Sequence, residues 1–201
     1  MANTILAFDE LDKVLGSFFQ FCKENLDSFF DTANINPTFL DSNKLNDLVI
    51  GSVTEDIPSF VFGAYSHGGN DCLLKSACTP YVSRTNSSNF NKSFFYTFSC
   101  SSGKELGEDL IDKGCHCYIG YKDVVAIWNT YQGPFMECAN YGLIQFFNGE
   151  ESYSIINQMK NKYNEEIDNM YKHDFLIASI LKDNRDALIL YGNNINIKHL
   201  D

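Results

Sequence analysis

Two side chains able to do covalent chemistry stand at the ends of apolar, β-prone runs: His67 near the end of PSFVFGAYSHGG and Cys100 within FFYTFSCSSG. A thiol with an ordinary pKa of about 8.5 is only a few per cent thiolate at neutral pH, so it needs an imidazole or a helix N-terminus beside it to act as a nucleophile. An acyl-transfer site also needs donors aimed at the developing oxyanion. Gly68 has no side chain to keep its N–H away from a scissile carbonyl, and the Cys100 N–H is the second candidate donor. Together these groups describe attack of a thiolate on a peptide carbonyl.

The elements that must bring them together read as strands alternating with helices. Phe8, Leu11, Leu15, Phe18, Cys22, Leu26 and Phe29 recur at three- and four-residue steps, which predicts an amphipathic helix over 5–31. The run from Pro58 predicts a buried strand ending at His67-Gly68-Gly69, and FFYTFS predicts the next. Between them, residues 68–93 are rich in Gly, Asn and Ser and read as a crossover with a flexible part. Ser102-Gly-Lys-Glu105 fits a capping box, which would start a helix two residues after Cys100; Gly114 would stop it. CHCYIGY, VVAIW and ALILYG predict further strands, and the apolar spacing predicts helices from Pro134 to Gly149, over 151–172 and over 175–181.

This pattern points to an α/β fold with a mostly parallel sheet and helices on both faces, in which residues 1–56 form an N-terminal helical segment packed on a 57–201 core. In such a sheet the ligand site lies outside the carboxyl ends of the strands. If the strands ending at His67 and Cys100 are parallel neighbours, both side chains emerge at that edge.

Composition narrows the partners. The 201 residues are 44% apolar, enough for one well-buried core, and a net charge of −11 without a Lys/Arg cluster opposes binding to nucleic acid or an anionic membrane. Seven irregularly spaced cysteines, and a start without a basic segment ahead of an apolar one, read as a reduced, cytoplasmic protein. On that reading the sequons at Asn86 and Asn91 are incidental. Strand alternation puts Cys115 and Cys117 on one face and His116 on the other, so the triplet does not clasp one ion with His67, Cys72 or Cys78; no metal or other cofactor is expected. His-Gly-Gly lacks both the G-x-G-x-x-G spacing and the lysine of a phosphate loop.

A hydrophobic strand ending in His-Gly, followed by one ending in a small residue and Cys, resembles the caspase-like peptidases: caspases, metacaspases, gingipains, separases and CHAT proteins. Cys100-Ser-Ser-Gly103 is similar to the separase and CHAT nucleophile turn, GCHCYIGYKDVVAIW to the segment after the CHAT nucleophile helix, and ALILYGN to its terminal strand, so the resemblance spans residues 57–193. It implies a three-layer sandwich and a cysteine endopeptidase, with His67 as general base or orienting acid, Cys100 as nucleophile, and Gly68 and Cys100 as the oxyanion hole. The implied partners are a protein or peptide substrate and a regulatory protein, in a bacterial stress or antiviral setting. A catalytically inactive relative acting as a regulatory module is the alternative. Two residues before the nucleophile, where metacaspases carry an acid and caspases Gln, this chain has Phe98, so no charged substrate preference carries over; Asp71, Glu105 and Asp109 remain candidates for charge near the pocket.

Overall fold

A computed structural model describes residues 2–200. In chain order the elements are β1 (Asn3–Phe8), α1 (Gly16–Ala33), β2 (Thr38–Leu40), α2 (Asp47–Thr54), β3 (Phe60–Tyr65), β4 (His67–Gly68), β5 (Cys72–Lys75), β6 (Thr79–Ser83), β7 (Ser93–Phe98), α3 (Leu106–Asp112), β8 (Cys117–Tyr121), α4 (Gly133–Phe147), α5 (Ser152–Tyr171), α6 (Phe175–Ala187) and β9 (Leu188–Gly192). Six strands form one sheet in the order β2-β1-β3-β7-β8-β9, parallel except for β9, which runs antiparallel to β8. β4, β5 and β6 make a small antiparallel sheet.

Alternation along the strands divides the core in two. Leu6, Phe8, Val61, Tyr65, Phe94, Tyr96 and Phe98 face α1, α4, α5 and α6; Ile5, Ala7, Phe60, Phe62, Ala64 and Phe95 face α2, α3 and the small sheet. The result is the expected helix–sheet–helix sandwich.

The first helix begins later than the periodicity predicts. Asn3–Phe8 is a strand hydrogen-bonded to β2 on one side and β3 on the other. A strand buried on both faces is a continuous apolar run, and ILAF joined the helical spacing of the residues after it without a visible break. Leu11, counted on the helix's apolar face, is exposed in the β1–α1 loop. The 68–93 crossover carries the small sheet. Its Lys75–Cys78 turn places Ser76 and Ala77 at φ of 49° and 58°, the left-handed geometry that hairpin turns use but that Gly or Asn normally announces. None of the described helices is long and apolar enough to cross a membrane.

Burial has a consequence at alkaline pH. It pushes the Cys115 thiol up to about 11 and the Cys117 thiol up to about 12. These protons are held by the folded state and released by the unfolded chain above about pH 8.5, so their contribution is complete below that pH and is lost as pH rises toward the folded values. The urea midpoint should therefore stay level from about pH 6 to 8 and fall steadily above about pH 9. Paired Cys115→Ala and Cys117→Ala substitutions should make that fall shallower, the buried Cys22 and Cys138 thiols supplying the remainder. A midpoint unchanged up to about pH 10.5 would contradict the assignment.

Candidate active site

β3 and β7 are parallel neighbours in a register that pairs Tyr65 with Phe98. Two residues beyond this last pair stand His67 and Cys100. The Gly68 and Cys100 backbones pass close to each other: a Cβ added to Gly68 would lie 2.4 Å from the Cys100 carbonyl oxygen and 3.2 Å from its nitrogen. Only a residue without a side chain permits so close a passage.

His67 opens β4, and β5 holds it by antiparallel pairing. The small sheet it belongs to is docked on the carboxyl end of β1 through its β5–β6 turn, where the buried Asp9 accepts from the Ser76 N–H at 2.6 Å and also from the Ser42 hydroxyl at 3.0 Å. A second anchor is the buried Ser66–Tyr81 hydroxyl pair, 2.7 Å apart. The imidazole lies edge-on to Phe19 of α1, and its Nε2 is 3.2 Å from Asp12 Oδ2, close but not aligned as a hydrogen bond.

Asp12 lies in the β1–α1 loop and was not among the sequence candidates. Burial alone would raise its pKa, but the Leu15 and Val14 N–H groups, donating at 2.8 and 2.9 Å, and the His67 imidazole together hold it below the ordinary carboxylate range. It is therefore an anion throughout the neutral range. Its only sequence signal is an Asx-type position at the start of a helix, which by itself says nothing about His67.

Cys100 is half-buried, and its Sγ donates to the Val125 carbonyl at 3.4 Å. Burial pushes its pKa up and the Asp123 charge adds to this, against the opposing effect of the backbone of Val125 and of Cys100 itself. In this conformation the thiol is neutral and its hydrogen bond goes to Val125 while the imidazole faces Asp12.

The turn after Cys100 differs from the capping box. α3 begins at Leu106, and Glu105 stands at its N-cap without a side-chain bond. Ser102 cannot cap because its hydroxyl is already engaged by the Ser99 carbonyl and Tyr118. No helix N-terminus therefore adjoins the thiol. The turn is instead tied to the end of β8, with the Ser101 N–H donating to the Asp123 carbonyl at 3.0 Å and the Gly103 N–H to the Tyr121 carbonyl at 2.8 Å.

VVAIW is not a strand. The segment is an ordered loop whose Ala126 N–H and carbonyl both bond to the buried Asn184 side chain, at 2.9 and 2.7 Å, so one amide replaces the neighbouring strand the backbone would otherwise need. Asn184→Ala should free this loop and weaken the Val125 contact, raising the rate of Cys100 alkylation by iodoacetamide several-fold near pH 8 while costing about 1–3 kcal/mol of stability. Peptide mass mapping reads the first quantity and a urea melt the second. Unchanged alkylation in a destabilised protein would show that the loop does not restrain the thiol.

The weaker candidates separate. Phe98 packs between Phe18 and Tyr121 at 5.3 Å from each, 3% exposed, and is a core side chain rather than a pocket wall. Asp71 is exposed and its carboxylate acts on Cys72. Glu105 pairs with Arg84 at 2.8 Å, and Asp109 lies within α3. Cys115 and Cys117 are buried core thiols. Exposed apolar side chains stand on the loops at this edge, Leu11 and Val14 on the β1–α1 loop and Val124, Trp128 and Tyr131 on the β8–α4 loop, interspersed with the exposed Lys13, Lys122 and Asp123. Gln132 and Ser17 link the two loops at 3.3 Å. A cavity of about 520 Å³ lies instead at the amino end of β1, and its lining has no titratable side chain.

The sequence matches no protein-family model and no curated protein. Solved structures do match, 15 chains in all. One is the crystal structure of the Arg-specific cysteine proteinase gingipain R, with a TM-score of 0.59 and 10% identity, covering 95% of this chain and 46% of that one. This chain thus spans about half the length of that protein. At such identity the likeness is one of fold, and the fold is caspase-like.

Proposed function

We propose that the chain is a cysteine endopeptidase in which Cys100 is the nucleophile, His67 the base and then the acid, and Asp12 the group that orients the imidazole. The observation that carries this reading is the contact of the Gly68 backbone with Cys100 at the carboxyl edge of a caspase-like sheet. With Nε2 facing Asp12, Nδ1 is the nitrogen left to take the thiol proton. Sulfur then bonds to the peptide carbonyl carbon and the C=O electron pair moves onto oxygen, which the Cys100 and Gly68 N–H groups would receive. Collapse expels the amine with the proton from the imidazolium, and water hydrolyses the thioester and restores the thiol.

Before this can happen the thiol must leave the Val125 carbonyl. A protein partner acting on the β8–α4 loop would supply that change, and the exposed apolar side chains of the two loops suit a protein segment as substrate. Kinship to the CHAT or separase type, and a stress or antiviral setting, rest on the resemblance of short motifs. The Cys100–Val125 contact also favours a second reading, a regulatory module that retains the fold without turnover.

The test is to incubate wild type and Cys100→Ala with a denatured protein mixture, with and without lysate from cells expressing the wild-type chain, and to map new amino termini by mass spectrometry. Termini made by wild type alone support the peptidase. Identical termini from both proteins under both conditions favour the module.

A further inference from the structure

We infer that Ser102 and Tyr118 form a hydroxyl relay that aims the Cys100 N–H at the oxyanion, a role that rests on the peptidase reading. The Tyr118 hydroxyl lies 2.8 Å from Ser102 Oγ, and Ser102 Oγ donates to the Ser99 carbonyl at 3.3 Å. A serine hydroxyl has one proton to give, so with that proton on Ser99 the Tyr118 hydroxyl is the donor to Ser102. All three residues are buried.

The Ser99 carbonyl belongs to the same peptide unit as the Cys100 N–H. In a planar trans peptide these two groups point in opposite directions. A carbonyl held from inside the core therefore turns its N–H outward, beside the nucleophilic sulfur. Among the described residues no backbone carbonyl accepts from that N–H. A backbone donor without a carbonyl partner is unusual in a folded chain, and this one adjoins the sulfur of the candidate nucleophile. The following peptide is fixed too: Ser101 sits at φ 57°, rare for a residue with a side chain, and its N–H is held by the Asp123 carbonyl. The peptide planes on both sides of Cys100 are thus clamped, one by the buried Ser102 hydroxyl and the other by the Asp123 carbonyl just beyond β8. Ser102 and Tyr118 are positioning residues that act through the Cys100 backbone.

Two reactions of the same thiol separate this role from simple support. With iodoacetamide, sulfur bonds to carbon as the C–I bond breaks and iodide leaves, so no charge develops on a carbonyl oxygen. With the peptide aldehyde acetyl-Leu-Leu-norleucinal, sulfur bonds to the carbonyl carbon, the C=O pair moves onto oxygen, and that oxygen is then protonated to a hemithioacetal. Both are measured on the full chain at pH about 9, where more of the thiol is ionised than at neutral pH. Tyr118→Phe and Ser102→Ala should each weaken hemithioacetal formation about tenfold or more while leaving Cys100 alkylation within about twofold. Acting through one relay, the double variant should be no worse than the poorer single one. Tyr163→Phe, which removes a buried hydroxyl bonded to Tyr121 at 3.0 Å, controls for lost stability.

A parallel fall in both reactions, or an aldehyde affinity untouched by the relay variants, would overturn the inference. So would a wild type that alkylates at Cys100 but does not add the aldehyde. If wild-type Cys100 undergoes neither reaction, the peptidase reading fails, and the relay with it.

Discussion

Replacing Cys100 by alanine is expected to erase peptide hydrolysis, and His67→Ala to lower it by about 10³-fold or more, with little change in folding. The size of the effect comes from the chemistry. Without the sulfur there is no acyl-enzyme, and without the imidazole the proposed base is gone, with no substitute in the helix N-terminus because α3 starts too far away to stabilise a thiolate. Asp12→Asn should cost less, about tenfold to a hundredfold, because it leaves both reacting groups in place and removes only the charge that orients His67. The variants differ in a second measurement. Asp12 also accepts from the Val14 and Leu15 N–H groups, and the asparagine side-chain oxygen can still do so, whereas Asp12→Ala loses these bonds and about 1 kcal/mol of stability with them. His67→Ala hydrolysing substrate as fast as wild type would remove the imidazole from the mechanism. Equal loss in Asp12→Asn and Asp12→Ala would assign catalysis to the charge; equal activity in wild type and Asp12→Asn would assign Asp12 to the loop alone.

Gly68→Ala should be nearly as damaging to activity and should also destabilise the protein. The added Cβ would lie 2.4 Å from the Cys100 carbonyl oxygen and 3.0 Å from Ser99 Cβ, neither of which is the end of a flexible side chain. Relief requires β4 or the nucleophile turn to move. Both are held, β4 by its pairing with β5 and the turn by bonds to Tyr121 and Asp123. Overpacking of this kind costs about 1–3 kcal/mol, which for a chain of this size is a fall in melting temperature of roughly 3–10 °C. A displacement of about 1 Å at the reacting groups costs about 10² in rate. Gly69→Ala is the contrast, since its new Cβ would meet the Cys72 sulfur at 3.2 Å, the tip of a side chain that can rotate. Calorimetry and a rate measurement on both variants decide the matter. Gly68→Ala melting and reacting like wild type would mean that the two backbones do not pass each other this closely.

Part of this arrangement is written in local sequence. The runs FVFGAY and FFYTF are apolar on both faces of their strands, so they mark parallel core strands whatever surrounds them, and chain order alone then puts His67 just beyond one and Cys100 just beyond the other. Both residues could be found in this way. The long helices α4 and α5 declared themselves by spacing, because one face of each must be apolar over many turns. β1 did not, since a short buried strand has no period of its own to set against a helix that comes soon after it.

The working state of the site was decided elsewhere. Asp12 reaches His67 across 55 positions of chain, Asp9 holds the β5–β6 turn of the small sheet across 67, and Asn184 fixes the Val125 loop across 58. Each bond joins a single polar side chain to a group that only folding brings near, and no periodicity or composition records such a pair. The same holds for the thiol. Sequence places a cysteine at the end of a strand, but whether its proton goes to an imidazole or to the Val125 carbonyl depends on the packing of a loop 25 residues away. Strand and helix identity come from repeated local preference, which a chain states many times over. Proton ownership comes from one contact, which only the tertiary structure can make.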